Sequence, residues 1–192
     1  MTTTRRTLLE RVRDPADREA WEQFFELYAP LLEGYARARG LARTDAQEVR
    51  DQCLEVLVRR LPTFEYERAR GRFQAWLHEI ARGKVVDHLR RARGVRHETA
   101  ELTALPDPEA APDEHWERHW RAEHLRYGLR IALEEEAADA RRAFELLLLD
   151  ELSVPDACAL TGLNANQVYK AKARILRRVR AALEHLGLED QA

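Results

Sequence analysis

The stretch SVPDACALTGLNANQVYKAKARILRRVR, residues 153–180, predicts two short helices joined by a tight turn. Ser153 and Asn164 are residue types that cap helix N-termini, and Gly162 stands where the turn needs a positive φ. Apolar residues are expected on the inner side of the first helix: Val154, Ala157 and Leu160. Those of the second helix recur at helical spacing: Val168, Ile175 and Val179. Together these features predict a helix-turn-helix.

The second of these helices is densely basic. Between Asn164 and Arg180 the chain holds six lysines or arginines and no acidic residue. Amide and basic side chains on an outward face suit the edges of bases in the major groove of DNA and the neighbouring phosphates. The candidate DNA-contacting residues are Asn166, Gln167, Lys170, Lys172, Arg174 and Arg177. A solvated basic helix that ends a bundle is the alternative. It leaves unexplained the spacing of the small residue Cys158, Gly162 and Val168, which is typical of a helix-turn-helix.

The composition of the 192 residues favours an all-α protein. Alanine, leucine, arginine and glutamate form helices well, and no segment alternates as a strand does. Cys53 and Cys158 lie far apart and are interpreted as small buried residues, with no disulfide and no metal site. The N-terminal residues lack the apolar core of a secretion signal, and the longest apolar stretch is too short to span a membrane. We therefore expect a cytoplasmic protein without a membrane-inserted segment.

The charge is partitioned along the chain. The net charge is −2, yet residues 84–97 hold five basic residues and one acid, whereas residues 98–123 hold eight acids and two arginines. Because neutralisation of phosphates drives non-specific binding to DNA, this balance predicts a weak intrinsic affinity. The pattern indicates two DNA-facing surfaces, and a larger partner that brings the chain to DNA.

Helical stripes and breakers divide the chain into two helical domains. We predict a first domain at 14–93, a flexible acidic linker at 94–112 and a second domain at 113–187. In the first domain, Asp14-Pro15 is expected to start a helix that Pro30 kinks or interrupts and Gly40 ends. Phe73 and Trp76 are expected in its core.

Two parts of the sequence resemble one family. Residues 45–93 read DAQEVRDQCLEVLVRRLPTFEYERARGRFQAWLHEIARGKVVDHLRRAR: an acid-rich helix, a short loop, then F-x-x-W-L-x-x-I-A-R and D-x-L-R-R. This stretch resembles the second domain of bacterial sigma factors of the extracytoplasmic-function (ECF) group. Residues 143–183, with the helix-turn-helix, are similar to the fourth sigma domain, and the two follow in the family's order.

The resemblance implies a transcription initiation factor that binds core RNA polymerase and directs it to promoter DNA. The second sigma domain then opens the −10 element and the fourth reads the −35 element. The implied polymerase-binding residues lie on the acid-rich helix: Asp45, Glu48, Asp51, Gln52 and Glu55. The implied −10 contacts are a loop for a flipped base and the basic face that follows: Phe64, Tyr66, Arg72, Arg82, Lys84, His88, Arg90 and Arg91. An anti-sigma factor is a further candidate partner, which the sequence does not identify.

Other functions find less support in the sequence. His115 and His119 are spaced to bind zinc on one helix, but the H-E-x-x-H order is absent, so solvated or interhelical histidines are favoured. No phosphate-binding loop or catalytic triad is recognisable, and we expect neither an enzyme nor a cofactor. A helix-turn-helix regulator that acts alone remains the alternative function.

Overall fold

A computed structural model describes residues 7–63, 71–92 and 113–186. Within these ranges every regular element is helical, which confirms the all-α prediction. The α-helices are α1 (Leu8–Arg11), α2 (Arg18–Ala38), α3 (Arg43–Arg60), α4 (Gly71–Ala92), α5 (Glu114–Glu134), α6 (Ala138–Leu148), α7 (Val154–Thr161) and α8 (Ala165–His185). A 3-10 turn at Leu61–Thr63 follows α3. None of the helices in the described ranges is long and apolar enough to cross a membrane.

The start of α2 differs from the prediction. Asp17 caps this helix by accepting a hydrogen bond from the backbone N–H of Ala20 at 3.0 Å, and Arg11 holds the same carboxylate at 3.0 and 2.9 Å. Asp14 instead caps a turn, where its side chain accepts from Ala16 N–H. The predicted start at Asp14-Pro15 is therefore wrong, because two aspartates compete for the cap and Asp17 has the additional ion pair.

Pro30 lies inside α2 and does not interrupt it. Proline removes one helical hydrogen bond, but residues on both sides of it are fully buried, among them Leu27 and Leu31. Burial of this apolar face stabilises the helix enough to outweigh the lost bond. Gly40, at φ 88°, follows the helix end as predicted.

The described residues up to His124 form one compact unit. Its helices α2, α3 and α4 contact one another along their apolar faces. On α3 the buried residues recur at steps of three or four: Ala46, Val49, Cys53 and Leu57. On α4, Phe73 and Trp76 are 2% and 5% exposed, which confirms their predicted place in the core.

The residues from Leu125 onward form a second compact unit. Its core contains Ala132 of α5, Phe144 of α6 and Ile175 and Val179 of α8. Leu129, Leu133 and Leu183 pack against this cluster. The apolar stripe predicted for the second helix of the helix-turn-helix therefore lies against α5 and α6.

The first half of α5 belongs to the first unit. Trp116 and Trp120 are nearly fully buried, and their rings lie 5.2 Å from Tyr35 and 5.8 Å from Tyr28 of α2. Asp113, just before the helix, bonds to His78 Nε2 at 3.0 Å. The sequence assigns residues 113–124 to the second domain, whereas the structure packs them on helices of the first unit. The proposed linker, residues 94–112, lies outside the described residues.

His124 is a buried titratable group in this first unit. Its side chain is almost inaccessible, its Nδ1 lies 2.7 Å from the carbonyl oxygen of Trp120, and its ring lies 4.2 Å from the Trp120 ring. Its Nε2 has no hydrogen-bond partner among the described residues. Burial disfavours the charged imidazolium and lowers the pKa of His124 to about 4.

This burial predicts a pH dependence of stability. In the unfolded chain a histidine has a pKa of about 6.5, so between pH ~4 and ~6.5 the unfolded state binds more protons than the folded state. The contribution of His124 to stability is therefore present above pH ~6.5 and is lost as the pH falls toward ~4. Relative to His124→Phe, the wild-type chain should lose roughly 2 kcal/mol of unfolding free energy between pH ~7.5 and ~5, measured by urea denaturation.

The matched control is His115→Phe, which replaces an exposed histidine on the same helix. Its pH profile should follow that of the wild type. Parallel profiles for His124→Phe and the wild type would contradict the burial of a neutral imidazole at position 124.

Candidate nucleic-acid interface

The helix-turn-helix forms as its capping residues predict. Ser153 caps α7 by accepting from Asp156 N–H, and Gly162 ends the helix in the left-handed region at φ 74°. Asn164 and Gln167 form a reciprocal capping box at the start of α8, with N–H to oxygen distances of 2.9 and 2.8 Å. All three sequence-predicted cap or turn residues are confirmed.

The inner face of the motif follows the prediction in part, because Val154 is only half-buried and Leu160 is exposed. Val168, Ile175 and Val179 are buried, as is Ala157, but Leu160 is 65% exposed. A step of three residues turns a helix by about 300°, so two such steps place Leu160 about 120° away from Val154. The predicted inward position of Leu160 is therefore wrong.

The candidate DNA-contacting residues of α8 lie mostly on its exposed side. Asn166, Gln167, Lys170 and Arg177 are exposed, while Lys172 and Arg174 are half-buried. The side-chain oxygen of Gln167 accepts the capping bond from Asn164, which leaves its NH₂ group as the donor for another partner. Tyr169, 59% exposed, also lies in this part of the helix. The residue types expected on this surface were polar or basic, and this tyrosine was not among them.

Arg174 is already paired within the protein. Its Nε and Nη2 donate to the two carboxylate oxygens of Glu136 at 2.8 and 2.5 Å, and Arg178 Nη1 donates to the same carboxylate at 2.8 Å. The hydrogen bond from Arg174 is the main cause that holds the pKa of Glu136 below its ordinary value. Glu136 follows Glu134 and Glu135 in a run that resembles solvated surface, so this contact could not be predicted from the residue pattern.

The predicted polymerase-binding residues lie along α3. Glu48, Asp51 and Glu55 are exposed, whereas Asp45 and Gln52 are half-buried. Asp51 pairs with Arg50 at 2.8 Å, Glu55 pairs with Arg59 at 3.3 Å, and Gln52 donates to Glu48 at 2.8 Å. The face is thus acidic and accessible, with each carboxylate near a partner of the same unit.

The predicted −10 residues on α4 meet that acidic helix. His88 Nε2 lies 3.6 Å from Asp45, and Arg91 lies 3.9 Å from Glu48 and donates to Gln52 at 3.4 Å. The structure therefore brings together side chains that the resemblance assigns to two different partners.

The remaining −10 candidates differ in their surroundings. Arg82 pairs with Glu79 at 2.8 Å, Lys84 is half-buried and Arg90 is exposed. Phe64 and Tyr66 lie outside the described residues, as does the side chain of Arg72.

The histidines of the HWERHW segment do not assemble into a metal centre. His115 is exposed and its Nδ1 lies 3.1 Å from Arg118, while His119 is half-buried beside Gly34. Among the described residues no group of three or more histidine, cysteine or acidic side chains is arranged to hold a metal ion.

Comparison with known proteins adds to this geometry. Residues 24–95, from within α2 to beyond the end of α4, match the family model for sigma-70 region 2. Over 179 residues, 93% of this chain and 91% of the other, the chain is also 27% identical to a protein of Cereibacter sphaeroides named ECF RNA polymerase sigma factor RpoE.

The similarity to RpoE covers more of the chain than the region 2 match does. The region 2 match contains α3 and α4, where the acidic and basic candidate residues lie. The helix-turn-helix falls outside that match and inside the longer similarity to RpoE. The resemblance to the ECF group found in the sequence is therefore confirmed.

The ion pairs described here predict a difference in coupling energy. Arg91 and Glu48 are both more than half exposed, so their coupling in a double-mutant cycle with alanine should be below about 1 kcal/mol. The coupling between Glu136 and Arg174 should be larger, because the Glu136 side chain is only 2% exposed. Urea denaturation of the single and double variants measures both values. Equal coupling energies for the two pairs would contradict the expectation that burial of Glu136 strengthens its ion pair.

Proposed function

We propose that this chain is a sigma factor that binds core RNA polymerase and directs it to promoters, with the first unit acting at the −10 element and the helix-turn-helix reading the −35 element. The observation that carries the proposal is the presence, in one chain, of a region 2 match and of a capped helix-turn-helix whose second helix exposes amide and basic side chains. The chemistry is recognition and positioning, without catalysis.

At the −35 element, the first two turns of α8 supply the base contacts. Asn166 and the NH₂ group of Gln167 suit adenine, and Lys170 suits guanine. Lys172 and Arg177 contact phosphates on either side. Arg174, which the sequence places in this set, is bound to Glu136 and is treated separately below.

At the −10 element, a flipped base is held by Phe64, Tyr66 and Arg72, and α4 supplies cations to the adjacent phosphates: Arg82, Lys84, His88, Arg90 and Arg91. The ion pairs from His88 to Asp45 and from Arg91 to Glu48 involve partly or mostly exposed side chains. Such pairs contribute little free energy, so a phosphate can replace the carboxylate at low cost.

Core RNA polymerase docks on the acidic face of α3. Asp45, Glu48, Asp51, Gln52 and Glu55 present carboxylates and an amide suited to a basic surface of the polymerase. Polymerase that binds these acids also separates them from the basic residues of α4. Docking thus favours the contact of α4 with DNA.

Delivery by polymerase is consistent with the charge of the chain. A net charge of −2 gives little long-range attraction to DNA. The polymerase supplies most of the affinity for DNA, and this chain supplies the sequence preference. We place this activity in the cytoplasm, with an anti-sigma factor as a further partner.

The second candidate function is a regulator that binds DNA through the helix-turn-helix without polymerase. Co-elution with core RNA polymerase on gel filtration separates the two functions, since only a sigma factor requires it. Polymerase-dependent transcription over a random promoter library then yields the preferred −35 and −10 sequences. A chain that neither co-elutes nor changes the promoters used by the polymerase would overturn the proposal.

The division of roles between the two units predicts separable defects. Lys170→Ala removes one base contact, worth about 1–3 kcal/mol, so transcription from the selected promoter should fall roughly 5- to 150-fold while co-elution with polymerase persists. Asp51→Lys combined with Glu55→Lys should instead abolish co-elution. The control is Glu22→Lys with Glu114→Lys, which makes the same change in net charge at exposed positions outside α3. Loss of polymerase binding in Lys170→Ala, or in the control, would contradict this division.

A further inference from the structure

Glu136 is a buried carboxylate at the edge of the basic helix. It lies in the turn between α5 and α6, and its side chain is 2% exposed. A buried carboxylate is costly unless it is paired and hydrogen-bonded. Its partners are therefore part of the structure of the unit.

The partners of Glu136 are two arginines of α8. Its two oxygens accept three charge-assisted hydrogen bonds, two from Arg174 and one from Arg178, at 2.5–2.8 Å. Arg178 also lies 3.3 Å from Glu135. Two arginines and two glutamates carry no net charge, so this part of α8 adds no net positive charge to the surface.

Other cations of the same helix are in a different state. Lys170 and Arg177 are exposed and form no ion pair with any residue in the described ranges. Either can turn toward a phosphate without breaking a contact. If Arg174 did so, a buried carboxylate would lose its two-point partner, which costs more than one solvent-exposed phosphate contact returns.

We propose that Glu136 is a positioning residue of the DNA-reading surface, which keeps Arg174 and Arg178 bound to the protein and out of the set of side chains that contact phosphate. This inference rests on the proposed contact between α8 and DNA. It reduces the cations of α8 that are available to DNA from the six lysines and arginines in the sequence to Lys170, Lys172, Arg177 and Arg180. It also makes Glu136 a determinant of how weakly the free chain binds DNA.

The first test compares two neighbouring neutralisations in the full-length chain. Glu136→Gln removes the buried carboxylate, and Glu135→Gln removes an acid that is 76% exposed, so both change the net charge by the same amount. The readout is fluorescence anisotropy of a labelled mixed-sequence duplex of about 30 base pairs over a range of KCl concentrations. Circular dichroism verifies that each variant is folded.

Glu136→Gln releases Arg174 for one additional phosphate contact. The slope of log affinity against log salt should steepen by about 0.9, and binding should tighten roughly 5- to 10-fold at about 0.1 M salt. Glu135→Gln should leave the slope unchanged, since Arg178 retains Glu136. Equal slopes for the two variants, or weaker binding by a folded Glu136→Gln variant, would overturn the proposal.

A second pair of variants keeps the proposal testable if Glu136→Gln does not fold. Arg177→Gln should lower the magnitude of the salt slope by about 0.9, whereas Arg174→Gln should leave it unchanged. An equal decrease of the salt slope in Arg177→Gln and Arg174→Gln would show that Arg174 contacts phosphate. It would overturn this inference but not the proposed contact between α8 and DNA. Absence of any duplex binding by the wild-type chain at low salt would instead overturn the contact between α8 and DNA, and the inference with it.

Discussion

Charge pairing inside the chain is the constraint on which both candidate functional surfaces depend. On the first unit the acidic residues of α3 face the basic residues of α4, as in the pairs of Asp45 with His88 and Glu48 with Arg91. On the second unit Glu136 binds Arg174 and Arg178 of α8. Some of the basic residues proposed to contact DNA are thus neutralised by acidic residues of the same unit, while Lys170 and Arg177 of α8 form no ion pair among the described residues.

The two sets of pairs have different physical consequences. Exposed pairs such as Arg91 with Glu48 are held weakly, so polymerase and DNA can each take one partner. The pair of Arg174 with Glu136 involves a buried carboxylate, which makes exchange costly. The ion pairs between α3 and α4 can therefore be exchanged for contacts with another molecule. The ion pair between α8 and Glu136 stays in place. Together they suit a chain that reads DNA only after the polymerase has brought it there.

Local features of the fold were predictable from the sequence, whereas the partners of each face were not. Ser153, Gly162 and Asn164 act over one helical turn, so their chemistry alone indicates caps and a turn. A stripe such as Trp116 and Trp120 shows that a face is buried but not against what, and here its partners lie on α2 and α4. Glu136 could not be distinguished from its neighbours Glu134 and Glu135, because its burial arises only from tertiary packing. Phe64 and Tyr66 stay predictions.

The most direct test of delivery by polymerase is the affinity of one selected promoter duplex for the full-length chain, measured with and without core RNA polymerase over a range of salt concentrations. The free chain should bind weakly and lose its affinity steeply as salt rises, and promoter-specific binding near 0.15 M salt should require polymerase. Tight, salt-insensitive binding of that duplex by the free chain would contradict the view that charge pairing keeps this chain off DNA until polymerase is bound.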